Sequence, residues 1–129
     1  MTDTYVADAH TFAAYLADSL PSRSDRIFRA SEEEECIIVI PTIALAELIY
    51  VFEKTRTESK IWDMFEKLDR SPNISTHMLD EEVLQTVPDI KLDELHDRII
   101  VATCEIVKAK ELITKDEEIK RSGLVKTVW

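Results

Sequence analysis

Glycine is almost absent: Gly123 is the only one in 129 residues. The turns that press backbone N–H groups against phosphate need several glycines at fixed spacing, so neither a dinucleotide fingerprint nor a P-loop can be built here. Any chemistry must come from side chains. Cysteine is scarce as well. Cys36 and Cys104 are the only two, and with no CxxC or metal-finger spacing they are expected to be reduced, buried thiols of a cytoplasmic protein. No apolar run approaches the ~20 residues of a membrane span. The opening Met1-Thr2-Asp3-Thr4 lacks the basic and apolar regions of a secretory signal, so no membrane association is expected. Positive charge is in deficit: 16 Lys plus Arg against 26 Asp plus Glu leave a net charge of −10. That is the reverse of the basic surface typical of nucleic-acid-binding domains. The single Asn73 and single Gln85, beside abundant Glu, Lys and Ile, lean toward a thermophilic source.

What remains is enough for one packed unit. A chain of this length buries roughly two-thirds of the surface its unfolded form exposes, and no linker or repeat divides it, so residues 1–129 are read as a single domain. Apolar β-type runs fall at Tyr5–Ala7, Ile37–Ile40, Asn73–His77, Leu112–Thr114 and Val125–Val128. Helical patterning fills the gaps: Ala9–Ser19, Ser24–Glu35, Thr42–Thr57, Ser59–Arg70, Asp80–Val87, Asp93–Ala109 and Glu117–Arg121. Strands alternating with helices give an α/β class with a mainly parallel sheet flanked by helices on both faces, and the unbroken Ile37–Ile40 suits a central strand. Pro41, Ser71-Pro72-Asn73, Pro88 and Ser122-Gly123 punctuate the pattern where elements should begin or end.

Four carboxylates sit in apolar surroundings. Glu47 is the one charged residue within Thr42–Phe52, where an uncompensated carboxylate costs several kcal/mol. Asp8 is the only carboxylate of Thr4–Ala17, placed where the first strand gives way to a helix. Asp116 follows the strand Leu112–Thr114, and Asp97 opens an apolar helix face. Ligands of open parallel sheets bind at the carboxyl ends of the strands. Helices start at that same edge, so all four side chains can reach one cleft. Carboxylates gathered without a cation repel one another and raise each other's pKa, and a hard divalent ion relieves the conflict. An all-oxygen donor set without His or Cys suits Mg²⁺ or Mn²⁺ rather than Zn²⁺, and such ions serve phosphodiester hydrolysis. The competing structural roles are a helix cap for Asp8 and a surface ion pair with Arg98 for Asp97.

These motifs resemble a known family. Tyr5-Val-Ala-Asp8 is similar to the opening strand and first aspartate of PIN-domain ribonucleases, and Thr42-Ile-Ala-Leu-Ala-Glu47-Leu to their glutamate-bearing helix. Glu94-Leu-His-Asp97-Arg98 is similar to the third acidic motif, Leu112-Ile-Thr114-Lys-Asp116 to the fourth, and Val125-Lys-Thr-Val-Trp129 to the closing strand. Within the family the likeness is greatest to VapC-like toxins of bacterial and archaeal toxin–antitoxin pairs. The resemblance implies a five-stranded parallel sheet of order 3-2-1-4-5, with Asp8 beside Asp116, and a Mg²⁺- or Mn²⁺-dependent endoribonuclease acting on RNA. It further implies a small antitoxin as partner and a homodimer. Carried over residue by residue, Asp8, Asp97 and Asp116 are metal ligands and Glu47 completes the catalytic set directly or through water. Thr114 orients a ligand or water, and Glu94 has a supporting role. Arg23, Arg26 and Arg29, or Lys54, Arg56 and Lys60, are RNA-contact candidates. His10 lies near Asp8 in sequence, while Trp62 and Trp129 are read as packing or dimer-contact residues. Two alternatives are a PIN scaffold without catalysis and a phospho-acceptor receiver domain. The latter needs an aspartate ending the third strand, where this chain has His77-Met78.

Overall fold

The computed structural model describes residues 2–129. Strand β1 (Asp3–Ala7) leads into helices α1 (Ala9–Leu16) and α2 (Ser22–Glu32), followed by β2 (Cys36–Pro41), α3 (Thr42–Lys54) and α4 (Ser59–Asp69). Next come β3 (Ile74–His77), α5 (Glu81–Thr86), a 3₁₀ turn (Val87–Asp89), α6 (Leu95–Val107), β4 (Glu111–Ile113), α7 (Glu117–Ser122) and β5 (Thr127–Val128). The strands form one sheet in the order β3-β2-β1-β4-β5. Every pairing is parallel, with Val6 opposite Val39 on one side and Leu112 on the other. The expected order is therefore present, and "mainly parallel" becomes wholly parallel.

Successive strand residues point to opposite faces. Val6 and Ala7, Ile38 and Ile40 with Val39 between them, and Leu112 and Ile113 are all buried, so helices must cover both faces. Phe12 and Phe28 are fully buried, and the Tyr15 ring stacks on both, at 6.2 and 4.3 Å between centroids. Burying each phenyl ring contributes about 2–3 kcal/mol. Cys36 and Cys104 are free and buried, as expected. Among the described residues no helix is long and apolar enough to cross a membrane.

The element boundaries differ from the sequence pattern in a systematic way. The helices expected to reach Ser19, Glu35, Thr57 and Ala109 end earlier, at Leu16, Glu32, Lys54 and Val107. Each stop is followed closely by a residue with positive φ: Asp18 at 53°, Glu34 at 58°, Arg56 at 57° and Lys108 at 55°. The left-handed residue closes the helix without glycine, at a cost of about 1–2 kcal/mol. Only α7 ends on the glycine expected, Gly123 at φ 67°. At the other ends, α2 begins two residues early, directly after Pro21, and β1 begins at Asp3 because its backbone already pairs with Cys36. β5 shrinks to Thr127–Val128.

Candidate active site at the carboxyl edge of the sheet

The central pairing builds the site. Ala7 of β1 lies opposite Ile113 of β4, so the next residues along each strand, Asp8 and Thr114, emerge side by side at the carboxyl edge. The Thr114 hydroxyl donates a short hydrogen bond to Asp8 Oδ2. The other Asp8 oxygen, Oδ1, accepts from the Thr11 N–H at 3.0 Å and the Thr11 hydroxyl at 2.7 Å, so Asp8 caps α1 as well as facing the edge. The Thr11 hydroxyl also stands 2.6 Å from the carbonyl of Ile113, and its one proton is shared between two acceptors. Asp116 caps α7, accepting from the Ile119 N–H at 2.9 Å, while its own N–H donates to Thr114 Oγ1 at 3.1 Å. One hydroxyl thus ties the two strand-end aspartates together.

The remaining acids come from helices that start at the same edge. β2 ends at Pro41 and α3 begins at once, which puts Glu47 in its second turn, half-buried. Burial pushes the Glu47 carboxyl above the ordinary glutamate value; Asp8 and Glu94 push the same way, and His96 and His10 pull it down. Asp97, third residue of α6, is half-buried. Its pKa is pushed from 3.8 up to about 6, first by desolvation and then by the negative charges of Asp116, Glu94, Glu118 and Asp8. The groups that dominate Asp97 after burial are all carboxylates, so the surface ion pair with Arg98 is not what holds it. Asp8 acts on both Glu47 and Asp97, and all four acids share one electrostatic neighbourhood. Glu94 precedes α6, exposed, and its Oε1 lies 2.9 Å from His96 Nδ1, which lowers the acid's pKa and raises that of the imidazole.

The basic candidates are more scattered. Arg26 and Arg29 open onto a cavity near the strand starts, beside Asp3 and Cys36. Arg29 is held by Asp25, Glu32 and Asp18 at 3.1–3.5 Å. Arg23 lines that cavity too and also reaches a second one next to Thr114. Lys54 closes α3, seven residues and roughly 10 Å along the axis from Glu47, with its ammonium 5.7 Å above the Tyr50 ring; Arg56 and Lys60 follow. The structure does not gather these three with the carboxylates. Trp62 is 73% exposed and so is not a core residue, whereas Trp129 packs partly against the core. Sequence reasoning passed over Thr11 and Glu118 and took His96 for an ordinary polar residue. The signal for Thr11 was the Asp8-x-x-Thr11 spacing of a helix cap, with a polar side chain inside an apolar face.

Among the described residues, no three Asp, Glu, His or Cys side chains are gathered tightly enough to grip one ion. The donor set nevertheless fits a hard divalent cation: all oxygen, and with two members whose ionisation is resisted, first by burial and then by neighbouring carboxylates. Asp8 and Asp116 are already fixed in orientation by their caps.

Comparison with curated protein sequences gives no match. Among solved structures, a chain of VapBC2 from Rickettsia felis, bound to a DNA fragment from its promoter, superposes with a TM-score of 0.77 at 15% identity over 98% of both chains. A chain of the DNA-bound VapBC from Salmonella typhimurium gives 0.74 at 15% identity, covering 99% of this chain and 98% of that one. VapC20 of Mycobacterium tuberculosis, a toxin that cleaves the sarcin–ricin loop, gives 0.70 at 9% identity, covering 95% and 97%. At such identities the likeness is one of fold. The sequence itself carries the assignment further, because residues 5–123 match the PIN-domain model, a span that includes the central strands and all four edge carboxylates: this chain belongs to the PIN-domain family.

Proposed function

We propose that the protein is a metal-dependent endoribonuclease, the toxin of a toxin–antitoxin pair, that hydrolyses RNA phosphodiester bonds at the carboxyl edge of its sheet. The observation that carries this reading is that Asp8, Glu47, Asp97 and Asp116 meet at one sheet edge in half-buried positions, where burial first and the neighbouring negative charges second lift Asp97 to about 6. Crowded acids in half-buried positions are unfavourable for folding, and their gathering calls for a ligand that wants them. Asp8, Asp97 and Asp116 would hold Mg²⁺ or Mn²⁺, with Glu47 completing the set directly or through water. When bound, such an ion stabilises charge on the phosphoryl oxygens and lowers the pKa of attacking water.

The chain's own residues supply orientation and proton handling. Thr114 presents its hydroxyl proton to Asp8 Oδ2 and its lone pair to the Asp116 N–H, so neither strand-end acid can turn away independently. Thr11 fixes the other Asp8 oxygen. Glu47, held above the ordinary carboxylate range, is suited to take a proton from water at Oε1 or Oε2. Its neighbour His96, whose imidazole pKa the hydrogen bond with Glu94 raises, brings positive charge to an edge that otherwise repels phosphate.

An antitoxin would occupy the same edge with a basic or aromatic segment, and the VapBC complexes with this fold support such a partner. A homodimer fits the family resemblance and the exposed apolar side chains such as Tyr50 and Trp62. The receiver-domain alternative falls with family membership. The scaffold alternative is met by the test. Asp8→Asn should abolish Mg²⁺- or Mn²⁺-dependent cleavage of single-stranded or looped RNA while leaving the circular dichroism spectrum unchanged. Full activity in that variant, or of the wild type in EDTA, refutes the proposal.

A further inference from the structure

A cavity of about 540 Å³ adjoins the carboxylate edge, lined by Arg23, Thr114, Lys115, Glu117, Lys120 and Trp129 among others. Its size falls within the ~300–1,000 Å³ of ordinary ligand sites. Three cations surround one carboxylate in a chain whose net charge is −10. Among the described residues, none of the three is within 4 Å of an acidic oxygen, as for most of the chain's basic residues; what sets them apart is that they line one cavity together. Unpaired cations gathered on an acidic protein are a site for an anion.

The cavity shares one residue with the catalytic edge. Thr114 lines it and donates its hydroxyl to Asp8. Trp129 follows β5, whose Val128 carbonyl accepts from the Thr114 N–H at 3.0 Å, so the indole is held one residue from the strand pairing that builds the site. The indole is only partly buried. Phosphates near a cluster of acids need a cationic track to hold them, and an aromatic face beside such a track takes a base by stacking.

We propose that this cavity is a subsite for single-stranded RNA flanking the scissile phosphodiester, in which Arg23, Lys115 and Lys120 take backbone phosphates and Trp129 stacks one base. The proposal rests on the nuclease reading and adds the direction of the strand: it leaves the carboxylates over β4 and β5. The contacts are to backbone and to a π-face, so the subsite holds the strand in place and discriminates weakly between bases.

The test measures binding of a short fluorescein-labelled single-stranded RNA by anisotropy, in Mg²⁺, with Asp8→Asn protein that binds without turnover. Adding Arg23→Ala and Lys120→Ala should weaken binding about tenfold and reduce the slope of log Kd against log salt by about 1.4, at ~0.7 per lost phosphate contact. Trp129→Ala should weaken it about five- to hundredfold. Should Trp129→Ala fail to fold, Lys120→Glu, on an exposed helix surface, carries the test alone with a loss of about tenfold. In a Trp62→Phe background, RNA should quench the fluorescence of Trp129. Arg70→Ala with Lys110→Ala, the same charge change at the strand-start edge, should leave binding unchanged. Wild-type binding by the cavity variants, while wild type cleaves and Asp8→Asn does not, overturns the subsite alone. Absence of cleavage by wild type overturns the nuclease reading instead.

Discussion

Replacing Asp97 by asparagine should stabilise the metal-free protein, and the size of the effect should depend on pH in a fixed direction. The Asp97 carboxyl titrates at about 6 in the fold against 3.8 for an ordinary aspartate. At 1.36 kcal/mol per pKa unit the full difference corresponds to about 3 kcal/mol. The group is only half-buried, and solvent screens the neighbouring charges, so about 1–2 kcal/mol is the working figure. Against this, Asp97 lies in the first turn of α6, where a negative charge is favoured by about 0.3–1 kcal/mol. Burial and repulsion win, leaving a net gain of about 1 kcal/mol for Asp97→Asn. The sign follows from linkage. A carboxyl whose folded pKa is raised contributes stability that is fully present below the unfolded value of 3.8 and is lost as pH rises through about 6. The asparagine variant never loses it. Thermal melts followed by circular dichroism in EDTA should therefore put Asp97→Asn about 3–5 °C above wild type near pH 7.5. The two curves should converge toward pH 4. A variant that melts below wild type at every pH, or an offset that does not change with pH, refutes the claim that Asp97 stands among uncompensated acids.

Three further outcomes are expected. Thr114→Val keeps volume but removes both the hydroxyl held to Asp8 and the acceptor of the Asp116 N–H; RNA cleavage should fall about 10–100-fold and stability by about 1–3 kcal/mol, read by single-turnover kinetics and by urea melts. Mn²⁺ at a hundredfold excess over its Kd should stabilise wild type by about 2.7 kcal/mol, and Asp116→Asn should respond less, as measured by the shift in melting temperature. Gly123→Ala meets no atom within 4 Å but must hold φ at 67°, so it should cost about 1 kcal/mol through backbone strain alone, seen as a melting temperature lowered by a few degrees with cleavage unchanged.

The sheet was legible because short apolar runs alternate with helical patterning, and the unbroken Ile37–Ile40 suits a strand covered on both faces. Helix ends were not legible, for a reason the backbone makes plain. Asp18, Glu34, Arg56 and Lys108 stop their helices in the left-handed region, and Glu, Arg and Lys there carry no compositional mark that separates them from helix interior. Asp8 and Glu47 could be picked out because each is a lone carboxylate within apolar sequence, and Asp97 and Asp116 because they stand at the start of an apolar helix face and just after a strand. Thr11 carried only the weak signal of its cap spacing from Asp8, because its further value lies in a contact with the carbonyl of Ile113, 102 residues away. The cavity beside Trp129 was hidden for a similar reason. Arg23 and Lys120 belong to different helices, and only the position of β5 next to β4 brings them around one space.

The deficit of positive charge therefore has a local structure that the total conceals. At the carboxyl edge, acids are placed where folding resists their ionisation, and Asp97 carries the clearest sign of it. Next to that edge, three of the thirteen basic residues that form no ion pair among the described residues line one cavity together. A chain selected for stability alone would bring these two populations into contact, since each would relieve the other. Thr114 belongs to both sites, hydrogen-bonded to Asp8 and the Asp116 N–H and also lining the basic cavity. On the proposed reading the separation of acids from bases is functional, for a bound divalent ion satisfies the acids while the phosphates of one RNA strand satisfy the bases. Stability and activity should then respond in opposite directions to neutralising the acidic side, and activity alone should suffer when the basic side is neutralised, since those exposed cations hold nothing else in place.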